Sequence, residues 1–197
     1  MQLLDANTPP PQRKISALVI AAHPALERSR ANKALLKAAK TVAGVTINDL
    51  YETAPDFVID VVAEQKALKA HEVIVLQFPV SWYAPPSLLK EWIDLVWLHG
   101  FAHGAKGMHL KGKTLLVAAT AGEPKSAYCE GGANGATLEE FLRPLKRSAS
   151  YCGMTWARPF LLYGSVNAPP AKLESEAERY RTRLLTLTGQ APPKELK

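Results

Sequence analysis

The sequence predicts an α/β fold: an open, five-stranded parallel sheet with helices on both faces. Three observations carry this. Apolar runs and helical segments alternate about five times along the chain, the order of a sheet built by crossover helices. Two of the runs, 15–22 (ISALVIAA) and 73–78 (VIVLQF), are nearly continuous rather than alternating, as in strands covered on both faces. After Pro86, the apolar residues Leu88, Leu89, Trp92, Ile93, Val96 and Trp97 fall on one face of a 3.6-residue helix.

The elements follow in order. Residues 1–14, with prolines at 9–11, read as a flexible leader that lacks the apolar stretch of a secretory signal. A strand is expected over 15–22, then a helix over 29–42 with Ser29 as its cap and Leu35, Leu36 and Ala39 on one face. A short strand (45–50), a short helix (61–68) and the strand 73–78 come next. The helix from Pro86 precedes a strand over 114–119 (TLLVAA) and a helix over 137–148. A last strand over 156–163 and a charged helix over 174–187 complete a single domain spanning 15–188, with 189–197 as a frayed tail.

Composition narrows the function classes. At 197 residues and 47% hydrophobic, the chain can bury one substantial core and is not of the disordered type. Two cysteines, Cys129 and Cys152, imply no disulfide framework and suit a reducing, cytoplasmic setting. No run approaches the ~18 apolar residues of a membrane span. The net charge of +6 comes from cations spread along the chain, which reads as a solvated surface rather than a nucleic-acid footprint.

In open parallel sheets ligands bind outside the carboxyl ends of the strands. Three connections there stand out. The first, 23–32 (HPALERSRAN), matches neither GxGxxG nor GxxxxGK[ST], yet it sets hydroxyl, amide and basic groups at a helix N-terminus. Such an end suits a phosphate monoester; the plain alternative is a cap with solvated arginines. The second, 79–83 (PVSWY), puts two aromatics on a turn, where they either pack beside a planar ligand or fill a gap under the next helix. The third, 120–135, is long and irregular for its position, either functional or a surface flap. His99, His103 and His109 lack cysteine or carboxylate partners at zinc spacing and read as a polar loop, so no metal site is expected.

Several of these segments carry a resemblance. His23-Pro24, Ser29 to Asn32, P-x-x-W-Y followed by PP-x-LLK-x-W-ID, and T-x-G with a tyrosine eight residues after the threonine are similar to the flavodoxin-like NAD(P)H:quinone oxidoreductases. The stretches PDF-x-ID, AEQ-x-AL and YCG-x-x-W resemble, within that family, the bacterial ancillary subunits of glutathione-gated potassium efflux antiporters. The likeness covers roughly residues 15–185.

The resemblance implies non-covalent FMN, with FAD the less usual choice, and NAD(P)H as co-substrate. It implies that His23, Ser29, Arg30, Ala31 and Asn32 hold the phosphate and ribityl side, and that Pro79, Val80, Ser81, Trp82 and Tyr83 line the isoalloxazine. Thr120, Ala121, Gly122 and Glu123 would contact the pyrimidine edge, and Tyr128 would be the catalytic residue beside ring and substrate. The activity implied is ping-pong hydride transfer from NAD(P)H through flavin to a quinone. Also implied are a homodimer, to which the 50–57 segment (LYETAPDF) would contribute, and a regulatory alternative: docking on a membrane antiporter, which would hold a cytoplasmic protein at the inner membrane. A one-electron carrier fits less well, since those are typically acidic. Two departures from the family pattern stand out. Glu123 and Pro124 replace glycines, and Asn134 stands where a histidine is frequent, offering hydrogen bonds but no titratable proton.

Overall fold

The computed structural model describes residues 15–105 and 107–191. The expected leader and the tail beyond residue 191 lie outside them. The sheet is built from β1 (Ala17–Ala21), β2 (Val45–Asp49), β3 (Val73–Pro79), β4 (Thr114–Thr120), β5 (Thr155–Trp156) and β6 (Phe160–Leu162). All pairings are parallel, in the order β2-β1-β3-β4-β5, with β6 also on β4. The chain therefore runs outward from β1 to β2 and then returns to the other side of β1. That reversal opens a crevice at the carboxyl ends of β1 and β3.

The continuous apolar runs behave as two-faced strands. Leu18 and Ile20 of β1, Ile74 and Leu76 of β3 and Leu115 and Val117 of β4 face one side, into a core with α3 (Val61–Ala70), α4 (Ser87–Val96) and α6 (Arg143–Tyr151). Ala17, Val19, Val75, Leu116 and Ala118 face the other side, against α1 (Arg30–Ala39) and α7 (Pro170–Leu187). The helical face read after Pro86 is the buried one: Leu88, Leu89, Trp92 and Val96 are fully enclosed. The Trp92 indole N–H donates to Glu64 Oε2 (2.8 Å), so its one polar atom is satisfied.

Four boundaries differ from the expectation, each for a local reason. The last strand is two short ones, because Pro159 sits between them and has no N–H for the ladder. The helix expected over 137–148 breaks at Leu142 into α5 (Leu138–Phe141) and α6, since Pro144 is accepted only in a helix's first turn. A helical turn, α2 (Leu50–Thr53), was not expected; the Asp49 carboxylate caps it through Tyr51 N–H (3.1 Å). The closing helix starts at Pro170 rather than 174, with proline at the tolerated first position. None of the described helices is long and apolar enough to cross a membrane.

Candidate active site

The segment after β1 folds into a stack of caps. The Ala25 N–H donates to His23 Nδ1 (3.1 Å), a 3-10 turn covers Leu26–Arg28, and Ser29 N–H bonds Leu26 O (3.0 Å). Ser29 then caps α1, its Oγ accepting from Asn32 N–H (3.2 Å). The buried Asn32 side chain ties three elements together. Its Nδ2 donates to Ser29 Oγ (3.2 Å) and Thr120 Oγ1 (3.0 Å), and its backbone carbonyl accepts from Gln77 Nε2 (3.2 Å). The N–H groups of Arg30 and Ala31 have no acceptor among the described residues, as expected of a helix's first turn, and face this end of the crevice with the Ser29 hydroxyl.

His23 is neutral at pH 7. Burial lowers its pKa, outweighing the nearby Glu27 and Asp49 carboxylates that would raise it. Because Nδ1 accepts from Ala25, the neutral ring carries its proton on Nε2, as a donor.

The second wall comes from the end of β3. Val80 N–H donates to Thr120 O (2.8 Å), and Ser81 and Ala84 exchange two 3.0 Å bonds around a two-residue turn. Its central residues, Trp82 (φ 47°) and Tyr83 (φ 64°), are both left-handed, the geometry of a type I′ turn that ordinarily takes Asn-Gly. For side chains of this bulk the strain is roughly 1–2 kcal/mol per residue. Tyr83 is held by Phe141 (ring centroids 4.7 Å apart) and by a hydroxyl bond to Asn134 Oδ1 (3.3 Å). Trp82 is 94% exposed.

The third wall follows β4. Ala121 N–H is engaged by Leu162 O (2.8 Å), so of the expected donors here, Gly122 and Glu123 keep N–H groups without a partner among the described residues. The loop then turns through Lys125–Ala127 to Tyr128. The Tyr128 ring is only 9% exposed, set 5.6 Å from Tyr163 and 6.4 Å from Phe141. Burial, then Glu123 and Tyr83, raise its pKa, so it stays a hydroxyl donor through the neutral range.

These walls enclose a cleft of about 400 Å³. Of the sequence-derived residues, His23, Ser29, Arg30, Ala31, Asn32, Pro79, Val80, Thr120 and Gly122 line it together. Ser81, Trp82, Tyr83, Ala121, Glu123 and Tyr128 do not: the aromatic turn stands at the rim, Ala121 is wholly buried, and Tyr128 packs in a neighbouring cluster with Leu138 and Phe141. Ser165 and Val166 line the cleft without having been singled out. They follow β6, so the rule that ligands bind beyond strand carboxyl ends points to them once applied to the last strand. Arg30 fastens that loop, donating to Ala168 O (2.9 Å). The histidines at 99 and 103 lie 5.5 Å apart, and no metal-binding group of side chains occurs among the described residues.

A protein family described by its flavodoxin-like fold matches residues 16–184. The chain belongs to that flavodoxin-like family. A curated relative, the glutathione-regulated potassium-efflux system ancillary protein KefF of Enterobacter sp. (strain 638), is 42% identical over 168 residues, covering 85% of this chain and 94% of that one. Among solved structures, general stress protein 14 of Treponema denticola, in complex with FMN, is 36% identical with a TM-score of 0.84, over 87% of this chain and 99% of that one. An NADPH-quinone reductase of P. pentosaceus is 28% identical with a TM-score of 0.80, over 86% and 98%. The strand order found here is the one by which flavodoxin-like folds place FMN between β1 and β3.

Proposed function

We propose that this flavodoxin-like chain binds one FMN in the cleft and catalyses two-electron reduction of quinones by NAD(P)H. The observation that carries the reading is the donor set at the switch point: the free N–H groups of Arg30 and Ala31 with the Ser29 hydroxyl at one end, and main chain from two strand ends at the other. A volume of about 400 Å³ lies within the usual range for a cofactor site. The FMN-bound relative and the quinone reductase relative support the same assignment.

The residues fit the cofactor by chemistry. Ser29, Arg30 and Ala31 would bind the phosphate, where the helix dipole favours negative charge. His23, donating through Nε2, would add a neutral hydrogen bond beside them. Pro79 and Val80 would lie along the ring, and the Gly122 and Glu123 N–H groups would face its polar edge. Trp82 would pack over whatever occupies the rim, since its own fold leaves it bare. Bound flavin supplies the redox chemistry, taking two electrons from NAD(P)H and delivering them to the acceptor. Tyr128 would hold its proton and donate a hydrogen bond as charge moves. The Glu123 carboxylate opposes build-up of negative charge nearby, which slows the reaction relative to a glycine there.

Anaerobic stopped-flow tests this. With FMN loaded, NADH or NADPH should bleach the flavin absorbance, and a benzoquinone should restore it in a second phase. The reading fails if neither nucleotide reduces the protein's flavin faster than it reduces free FMN.

The likeness to KefF, which spans almost all of that ancillary protein, favours a second reading: a homodimeric regulatory subunit that acts by docking on a membrane antiporter. Size measurement in solution and co-purification with such an antiporter address it.

A further inference from the structure

The outer edge of the sheet carries a feature the flavin reading does not use. β5 and β6 hold the last strand position, and among the described residues nothing pairs beyond them. Two grooves run along this edge and meet at Glu139, Arg158 and Pro159. One, of about 390 Å³, is bounded by Lys125 and by Arg179 and Arg183 of α7. The other, of about 490 Å³, is bounded by Arg143 and Lys146 of α6.

Their charge is one-sided. Six cations face two carboxylates, and one of these, Glu140, is already engaged. Glu140 accepts from the Thr137 N–H and hydroxyl (both 2.8 Å) as half of a capping box, and the Glu139 carboxylate lies near enough to Tyr163 to help raise its pKa after burial. Arg179 is paired with Glu176 (2.6 Å). Lys125, Lys146 and Arg158 have no carboxylate within ion-pair distance among the described residues. Edge strands are commonly guarded by charge and proline, and Arg158 and Pro159 serve that purpose at the break between β5 and β6. Guarding does not require further cations from α6, α7 and the loop after β4.

We propose that this double groove is a docking surface for an extended acidic segment of a partner protein. Carboxylates on such a segment would meet the planar guanidinium of Arg158 at the junction and the cations of α6 and α7 on either side. None of the groove residues lines the cleft at β1 and β3, so the inference stands apart from the flavin reading.

The test uses the full chain and a fluorescein-labelled peptide of alternating glutamate and serine, followed by anisotropy at low and at physiological salt. Binding should weaken about tenfold or more in Arg143→Glu/Lys146→Glu/Arg158→Glu, through several surface pairs reversed together. The milder Arg143→Gln/Lys146→Gln/Arg158→Gln should fall between that variant and the parent. An equal reversal of exposed lysines on α1, at its C-cap and on α3, Lys37→Glu/Lys40→Glu/Lys66→Glu, should change affinity less than about twofold at physiological salt, once screening has removed the general charge effect. Flavin content and helical circular dichroism, unchanged in all three, report intact folding. Three results would overturn the proposal: no binding of the peptide, equal loss in the groove and control variants, or groove-dependent binding to phosphatidylglycerol vesicles with none to the peptide.

Discussion

The two ends of the cleft are built on opposite principles. At the α1 end the side chains are tied locally or to one packed neighbour, leaving the Arg30 and Ala31 N–H groups open: Ser29 caps the helix, and Asn32 links Ser29, Gln77 and Thr120. At the β3 end two bulky residues hold left-handed backbone angles, one anchored by a stacked ring and the other almost wholly in solvent. The first end is relaxed and preorganised. The second stores strain, and strain retained at the rim of a cleft points to function there. The contrast teaches that a binding wall can be paid for by hydrogen bonds or by conformational energy, and that mutations should act on the two in opposite directions.

The largest effect should come from Asn32→Ala. It removes the side-chain bonds to Ser29 and Thr120 and leaves a buried hydroxyl under-satisfied, so urea denaturation should show a loss of about 2–4 kcal/mol. A loss under about 1 kcal/mol would mean the α1 end is not organised by this side chain. Next comes Tyr128→Phe. The ring stays in its aromatic cluster, so FMN should be retained, but one hydrogen bond is lost in the transition state. A cost of about 1–3 kcal/mol corresponds to reoxidation by quinone roughly tenfold to a hundredfold slower. Unchanged reduction and reoxidation rates in stopped-flow would reassign Tyr128 to packing alone.

Smaller and opposite in sign is Trp82→Gly. With the ring 94% exposed, little packing is lost and the left-handed strain is relieved, so the flavin-free protein should gain about 0.5–1 kcal/mol while holding FMN more weakly. Tyr83→Gly should show no such gain, since it also gives up Phe141 and the Asn134 bond. Equal responses to the two substitutions would erase the distinction between the bare and the anchored aromatic.

The smallest effect concerns pH. The pKa of folded His23 lies below its ordinary value of 6.5, so the unfolded chain takes up the proton first. The contribution is therefore complete above pH 6.5 and is lost as the pH falls towards the folded value. Stability profiles of the parent and His23→Gln should coincide at neutral pH relative to their plateaus and diverge on acidification, the parent falling faster. A parallel pair of profiles would show that burial does not govern this ring.

Much of the fold was legible because its signals are local. Uninterrupted apolar runs marked the strands, and the Leu88–Trp92–Val96 face marked α4. Ser29 was recognisable as a cap from its place before an amphipathic stretch. The breaks at Leu142 and at 157–159 were missed although Pro144 and Pro159 are visible in the sequence, because whether a proline starts a helix or splits one depends on what packs around it. At the site, the positions along the cleft floor followed from strand ends. The outward stance of Trp82 and the burial of Tyr128 did not, since both depend on a type I′ turn and on contacts with Phe141 and Tyr163 that are remote in sequence.

The most direct test of the account is the cofactor itself. The protein should purify yellow or become so on titration, with one equivalent bound per chain. The flavin released on denaturation should chromatograph as FMN, and Ser29→Ala, which removes the hydroxyl while the Arg30 and Ala31 N–H groups stay, should reduce its retention. A protein that purifies colourless and shows no saturable flavin binding in titration would contradict the assignment of the cleft at its root.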